Sequence, residues 1–356
     1  MPVRSERDCP ASAHRERLRA RENAWGRRRA TQSPVGLATV ACRELLSGVA
    51  RAADTRWYFG SRSVRLRADA STCVGVVLLV VARSQPKGPE LAKLARIPRI
   101  WIAALAVAAA ALTLAFVLLP GLVLGSPNAV PSSLAAGLSA FWDSGDGAMP
   151  PALVALIDYW REWHAIKVLL SGLLVAVSIV TSVILWSRFR AAQRAGGAAS
   201  AVGGTISTLV AVIAGGLLAI NIQATAVPFV ALFPLVPVSP DDASERQSLG
   251  ELRASLANDQ AGSGHETVRQ LVLNQVWQYT AVNAAVMAAL AVTAAALAIA
   301  LFIRFVRAVG DDRTRVMCLA ISPLLGISAL AYFAISALSV LSAMDASSSA
   351  SGLLGG

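Results

Sequence analysis

The run Asp158-Tyr159-Trp160-Arg161-Glu162-Trp163-His164-Ala165-Ile166-Lys167 gathers acid, base, indole and imidazole within three helical turns. There His164 could carry a proton or bind a ligand, with Asp158 or Glu162 beside it. Helical spacing brings Trp163 and Lys167 together as a cation–π pair at i, i+4, and turns Arg161 back on Asp158. The same residue types also make an anchor at the headgroup level of a bilayer. Tyr159, Trp160 and Trp163 would sit in the interface while Arg161 and Lys167 snorkel to water. The anchor needs no partner from elsewhere in the chain and is the preferred reading. Trp277 and Tyr279 form a second aromatic pair of this kind.

Three amides stand inside apolar runs: Asn221, Gln223 and Asn283. They could line a solute path. The plainer reading is that they hydrogen-bond to neighbouring helices, each bond worth about 0.6–2 kcal/mol. No metal centre is expected. The histidines are His14, His164 and His265, without ligand spacing, and Asp143–Gly147 lacks the acid that a calcium loop needs at its third position. Cys9, Cys42, Cys73 and Cys318 form neither a zinc motif nor a disulfide framework. No G-x-S-x-G, H-E-x-x-H or P-loop lysine motif occurs, so catalysis has no signature and no cofactor is implied.

The elements that position these residues follow from composition. The chain of 356 residues is 55% hydrophobic and 15% charged, with a mean hydropathy of +0.58. Soluble domains are nearer 25% charged. Five charge-free runs, about 100–124, 168–186, 205–227, 281–303 and 316–341, are each long enough for a hydrocarbon core of about 30 Å. The fold expected is an all-α integral membrane bundle of five transmembrane helices over 99–343. Residues 73–82 lie between Asp69 and Arg83 and are too short to span. No Asp, Glu, Lys, Arg or His falls within the five runs. Ion-coupled transporters usually carry such residues at the midplane.

Orientation follows from the flanking bases. Lys87, Lys93, Arg96, Arg99, Arg188, Arg190, Arg194, Arg304, Arg307, Arg313 and Arg315 flank one side, against Arg161, Lys167, Arg246, Arg253 and Arg269 on the other. The positive-inside rule then puts the N-terminus in the cytoplasm and the C-terminus outside a plasma membrane. Residues 1–98 read as a basic, mostly disordered cytoplasmic leader. Residues 1–69 alone hold 15 Arg and seven acids. No nucleic-acid fold accompanies that charge, so no nucleic-acid partner is expected. Arg27-Arg28-Arg29 ahead of Cys42 superficially suits a twin-arginine signal, but exporting this end would break the charge rule. The leader also suits a start placed too far upstream, with Ser84–Arg99 as the true cytoplasmic segment. Only three of the 32 bases are lysines; this Arg and Ala bias has the look of a high-GC bacterial genome.

Two outer loops, 125–167 and 228–280, each open on prolines and end in an amphipathic helix entering the next span. Leu134, Leu138, Phe141 and Trp142 mark one loop helix, and Leu249, Leu252 and Leu256 another. Leu153, Ile157, Trp160 and His164 share one face of the helix opened by Pro150-Pro151. Matching features recur about 113–117 residues apart, which suggests a tandem pair of span–loop–span hairpins plus a fifth helix. Residues 344–356 are expected to be a short disordered outer tail. The function expected is a non-catalytic assembly, scaffold or regulatory component, with a membrane-protein partner or a homo-oligomer as its complex. The alternatives are a small-solute permease or channel and a membrane enzyme with an outer-face site.

Overall fold

Five helices among the described residues are long and apolar enough to cross a membrane. The computed structural model describes residues 97–192, 197–257 and 264–355, all within the unit Ser84–Gly356. The leader through residue 96, with Arg27–Arg29 and segment 73–82, lies outside the described residues. The first span is α1 (Arg99–Leu124). A turn at Pro127–Ala129 leads to the short helix α2 (Val130–Ser144). Then come α3 (Pro151–Ala191) and α4 (Ala198–Ala226), the second and third spans. Two short helices follow, α5 (Pro228–Ala231) and α6 (Ala243–Ala257). The last spans are α7 (Glu266–Arg307) and α8 (Asp312–Met344), before a terminal helix α9 (Ala346–Leu353). No strand occurs among the described residues. The chain has the architecture of a multi-pass, all-α membrane bundle.

The two longest helices extend well beyond any bilayer. α3 has 41 residues and α7 has 42, about 60 Å each at 1.5 Å per residue. That is about twice the hydrocarbon thickness. Their N-terminal portions rise out of the spans together with α2, α5, α6 and α9. These pieces form a cap over one end of the bundle. Its core takes Leu134, Leu138 and Phe141 from α2, Leu153 from α3, Val230 from α5, Leu252 and Leu256 from α6, and Val272 from α7. The apolar stripe of each loop helix is thus buried against its counterpart in the other loop, as burial of apolar area requires. Gly145, with φ of +67°, ends α2 in the left-handed conformation and turns the chain toward α3.

The spans pack differently. Their large side chains face outward, with Val107, Leu122, Ile327 and Leu330 all more than two-thirds exposed, as lipid contact demands. α3 packs along α4, and α7 along α8, far more extensively than either pair meets the other; α1 lies beside α3. Serine and threonine hydroxyls join each pair. Ser182 hydrogen-bonds Thr208 at 2.7 Å across α3 and α4, and Ser322 donates to the Ala298 carbonyl at 3.0 Å across α8 and α7. Between the pairs, the Tyr332 hydroxyl donates to the Val212 carbonyl at 2.6 Å, beside Gly215 and Gly216.

Either of two groupings gives similar halves. Span–loop–span leaves α8 over, and cap helix–long helix–return span leaves α1 over. Packing favours the second. The 15-residue helices α2 and α6 correspond, as do α3 with α7 and α4 with α8. Their first residues are offset by 113, 115 and 114 positions respectively. Each half crosses twice, so both halves run in the same sense.

The tail requires a correction. Residues 346–353, expected to be disordered, form helix α9, and Ala350 and Leu354 are buried in the cap core. Serine-rich composition hid it. Asp345 accepts a hydrogen bond from the Ser348 amide and caps the helix. Arg253 of α6 then holds the end down, its Nε donating to the Leu354 carbonyl at 2.9 Å.

Candidate functional site

The cap end of the spans carries most of the polar side chains singled out from sequence. His164 stands on α3, about three and a half turns from Pro151. Its Nδ1 lies 2.9 Å from Oδ1 of Asn221 on α4. Asn221 spends its amide nitrogen on the Leu217 carbonyl at 2.6 Å, so its oxygen is left as the acceptor. His164 must therefore carry its proton on Nδ1 and donate it. Nε2 is the atom left for other chemistry. The Trp160 ring meets the imidazole edge-on at 4.9 Å and stacks on Trp163 at 6.2 Å.

Aromatic side chains tie α1 to α3. Trp163 is buried and packs close to Gly121. Lys167 places Nζ 5.6 Å from the Trp163 ring and 5.3 Å from Phe116 of α1, a cation–π arrangement at an interface. Tyr159 donates to the Gly125 carbonyl at 3.3 Å. Asp158 pairs with Arg161 one turn on, where both are partly exposed. Such an exposed pair contributes little. Trp277 is half-exposed at the start of α7's lipid-facing run.

The other two amides are also engaged. Gln223 donates to the Tyr279 carbonyl at 3.2 Å, linking α4 to α7. Asn283 donates to Ser339 Oγ at 2.7 Å, linking α7 to α8. The His164–Asn221 and Asn283–Ser339 bonds each join a long helix to its return span. Ser339 and Tyr332 were not singled out from sequence. A hydroxyl inside an apolar run was their only local signal.

The second histidine of the described residues lies elsewhere. His265 precedes α7 and stacks on Trp142 of α2, with ring centres 4.3 Å apart and planes 12° apart. The Trp142 indole donates to Glu251 of α6 at 3.4 Å, and Ser248 of α6 donates to Asp143 of α2 at 2.8 Å. Among the described residues no group of His, Cys, Asp and Glu is arranged to hold a metal ion. No known protein family matches this chain, and neither a curated protein nor a solved structure shows significant similarity to it. Its geometry must carry any functional reading.

Two expected results arise here. Asn221→Leu leaves the His164 N–H without its acceptor at a half-buried contact and should cost about 1 kcal/mol. In a His164→Leu background the same change should cost less. A double-mutant cycle on thermal unfolding in detergent measures the difference; strictly additive losses would rule the bond out as a stabiliser.

The second concerns acid. Hydrogen bonds from Gln247 and then from Trp142 hold the Glu251 carboxyl below the usual range. The Ser244 hydroxyl and amide do the same for Asp242 at the start of α6. A carboxylate with a depressed folded-state pKa stabilises the fold fully above its unfolded value, about 4. That stabilisation is lost as pH falls through the lower folded value. Amide exchange in α6 should therefore be unchanged from pH 7 to 5 and accelerate, after correction for intrinsic rates, below about pH 4. Faster corrected exchange already between pH 7 and 5 would assign the effect to other groups.

Proposed function

We propose that this chain is a non-catalytic membrane scaffold or assembly component that holds a folded cap at the outer face of a cell membrane. The observation that carries the reading is the cap itself. Its core, rather than the spans, contains the largest fully buried side chains, Phe141, Phe233 and several leucines. Both halves contribute to it, so the bundle acts as its mount. The engagement of Asn221, Gln223 and Asn283 in bonds between helices supports the same reading, because those amides are spent on packing. The orientation rests on charge. Arg99, Arg188, Arg190, Arg304, Arg307, Arg313 and Arg315 gather at the end opposite the cap, which makes that end cytoplasmic by the positive-inside rule.

A scaffold works in a complex, either with a membrane-protein partner or with further copies of itself. Light scattering on the chain purified in mild detergent is expected to give one particle of fixed stoichiometry larger than a monomer. A monomer alone at all concentrations would overturn the reading. A reporter fused after residue 356 is expected to be active only in its extracytoplasmic form.

A small-solute permease is the second reading. The parallel halves, whose spans meet each other far less extensively than the helices within each half do, favour it, since transporters of repeated plan move one half against the other. Solute flux into proteoliposomes that changes with Tyr332→Phe would establish it, and absence of flux for neutral and charged solutes would remove it.

A further inference from the structure

At the basic end of the bundle three helix ends meet: the start of α1, the end of α3 and the start of α4. They border an open cleft of about 580 Å³, lined by Arg99, Ile102, Leu185, Arg188, Ala199 and Ser200 among others. That is within the usual range for a small-molecule site. We propose that this cleft binds the phosphate of an anionic phospholipid, with the acyl chains running along Ile102 and Leu185.

Charge selects the ligand. Two guanidinium groups line the cleft, and no acidic side chain is among the described residues that line it. Arg188 is held in place, because one of its terminal nitrogens donates to the Ile97 carbonyl just ahead of α1. The guanidinium groups of Arg99 and Arg188 are fitting partners for a phosphate in the cleft, since guanidinium and phosphate match in charge and geometry.

The backbone adds to this field. α1 begins after Pro98 and α4 after Gly197, and neither helix has a side-chain cap or an acid in its first turn. Their first N–H groups thus present positive potential at the cleft. The carbonyl end of α3 contributes the opposite sign, and Arg188 and Arg190 in its last turn offset it.

Depth selects the lipid over a free ion. Charge-free apolar sequence starts at Ile100, one residue after Arg99, and ends at Trp186, two residues before Arg188. The guanidinium groups therefore lie at headgroup level, and Ile102 and Leu185 lie on the acyl side. Basic pockets between spans bind anionic headgroups in this way.

The test uses the full chain in a neutral detergent, titrated with phosphatidylglycerol, phosphatidylcholine or inorganic phosphate, with thermal unfolding as the readout. Phosphatidylglycerol is expected to stabilise the protein at concentrations where phosphatidylcholine does not. Inorganic phosphate should act only weakly. The Arg99→Gln/Arg188→Gln double variant should weaken the apparent affinity for phosphatidylglycerol about tenfold or more. An Arg307→Gln/Arg315→Gln variant removes equal charge from exposed positions at the same end and should change it less than about twofold. Equal losses in both variants would reduce the effect to diffuse charge and overturn the site. Equal stabilisation by the two lipids would overturn it too, and saturation by inorganic phosphate alone would overturn the lipid assignment. Should the double variant fail to fold, Arg99→Gln at its exposed position carries the same comparison, with about a threefold or larger loss expected.

Discussion

Phe141→Ala is expected to destabilise the cap by about 3–5 kcal/mol, the cost of emptying a buried aromatic site. The Phe141 side chain is fully enclosed. Its ring meets Phe229 edge-on at 6.2 Å, and Phe229 meets Phe233 at 5.0 Å. Such ring pairs add about 0.5–1.5 kcal/mol beyond area burial. These rings join α2 to the chain leaving α4, so the cavity would open where the loop helices converge. The loss should be local. Hydrogen exchange is expected to accelerate in α2 and α6 while the middle of α4 keeps its protection. The control is Val154→Ala on the exposed side of α3, with a cost below about 0.5 kcal/mol. Uniform loss of protection through the spans, or none in the cap, would show that the cap is not a separate packing unit.

Gly204→Val should be the most damaging change within the spans. A Cβ at Gly204 would stand 2.8 Å from Nε1 and 2.9 Å from Cε2 of Trp186. Trp186 cannot easily yield. It is buried and set edge-on against Phe189 at 5.6 Å. Overpacking typically costs about 1–3 kcal/mol, and valine adds three carbons where there is not room for the first, its Cβ. The α3–α4 pair would separate where Ser182 reaches the Gly204 carbonyl at 3.3 Å. Thermal unfolding in detergent is the measurement, with Gly204→Ala as the milder step. Combining Gly204→Ala with Trp186→Leu should recover part of the loss, because the smaller side chain relieves the contact. A Gly204→Val protein as stable as the parent would contradict the packing described.

The spans were readable because lipid imposes a simple rule: about 20 residues without charge. The loop helices were readable because Leu134, Leu138 and Phe141, and Leu249, Leu252 and Leu256, repeat at helical spacing. Partners were not readable. Periodicity shows which face of a helix is apolar and leaves open what covers it. His164 and Asn221 are 57 positions apart, and nothing local to either residue names the other. The same blindness affected the packing of the spans. The recurrence of matching features suggested that spans 1 and 2 form a unit, whereas close approach, as at Gly203-Gly204 against Leu185 and Trp186, makes α4 rather than α1 the main partner of α3. Helix α9 was missed for a different reason. Its serines suggested a solvated tail, and its few apolar residues count only once the cap offers them a place.

The length of α3 and α7 has a mechanical consequence. α1 carries Pro120 and α8 carries Pro323 within the helix, whereas α3 has proline only at its start and α7 has none. Proline, the usual cause of a sharp bend, is therefore absent from the interior of both long helices. Each runs as one hydrogen-bonded rod from the cap to the arginine-rich end. A tilt of about 5° imposed at one end carries the other through about 5 Å over such a length. A load on the cap would therefore be felt on the opposite surface as a displacement as wide as a helical turn is tall.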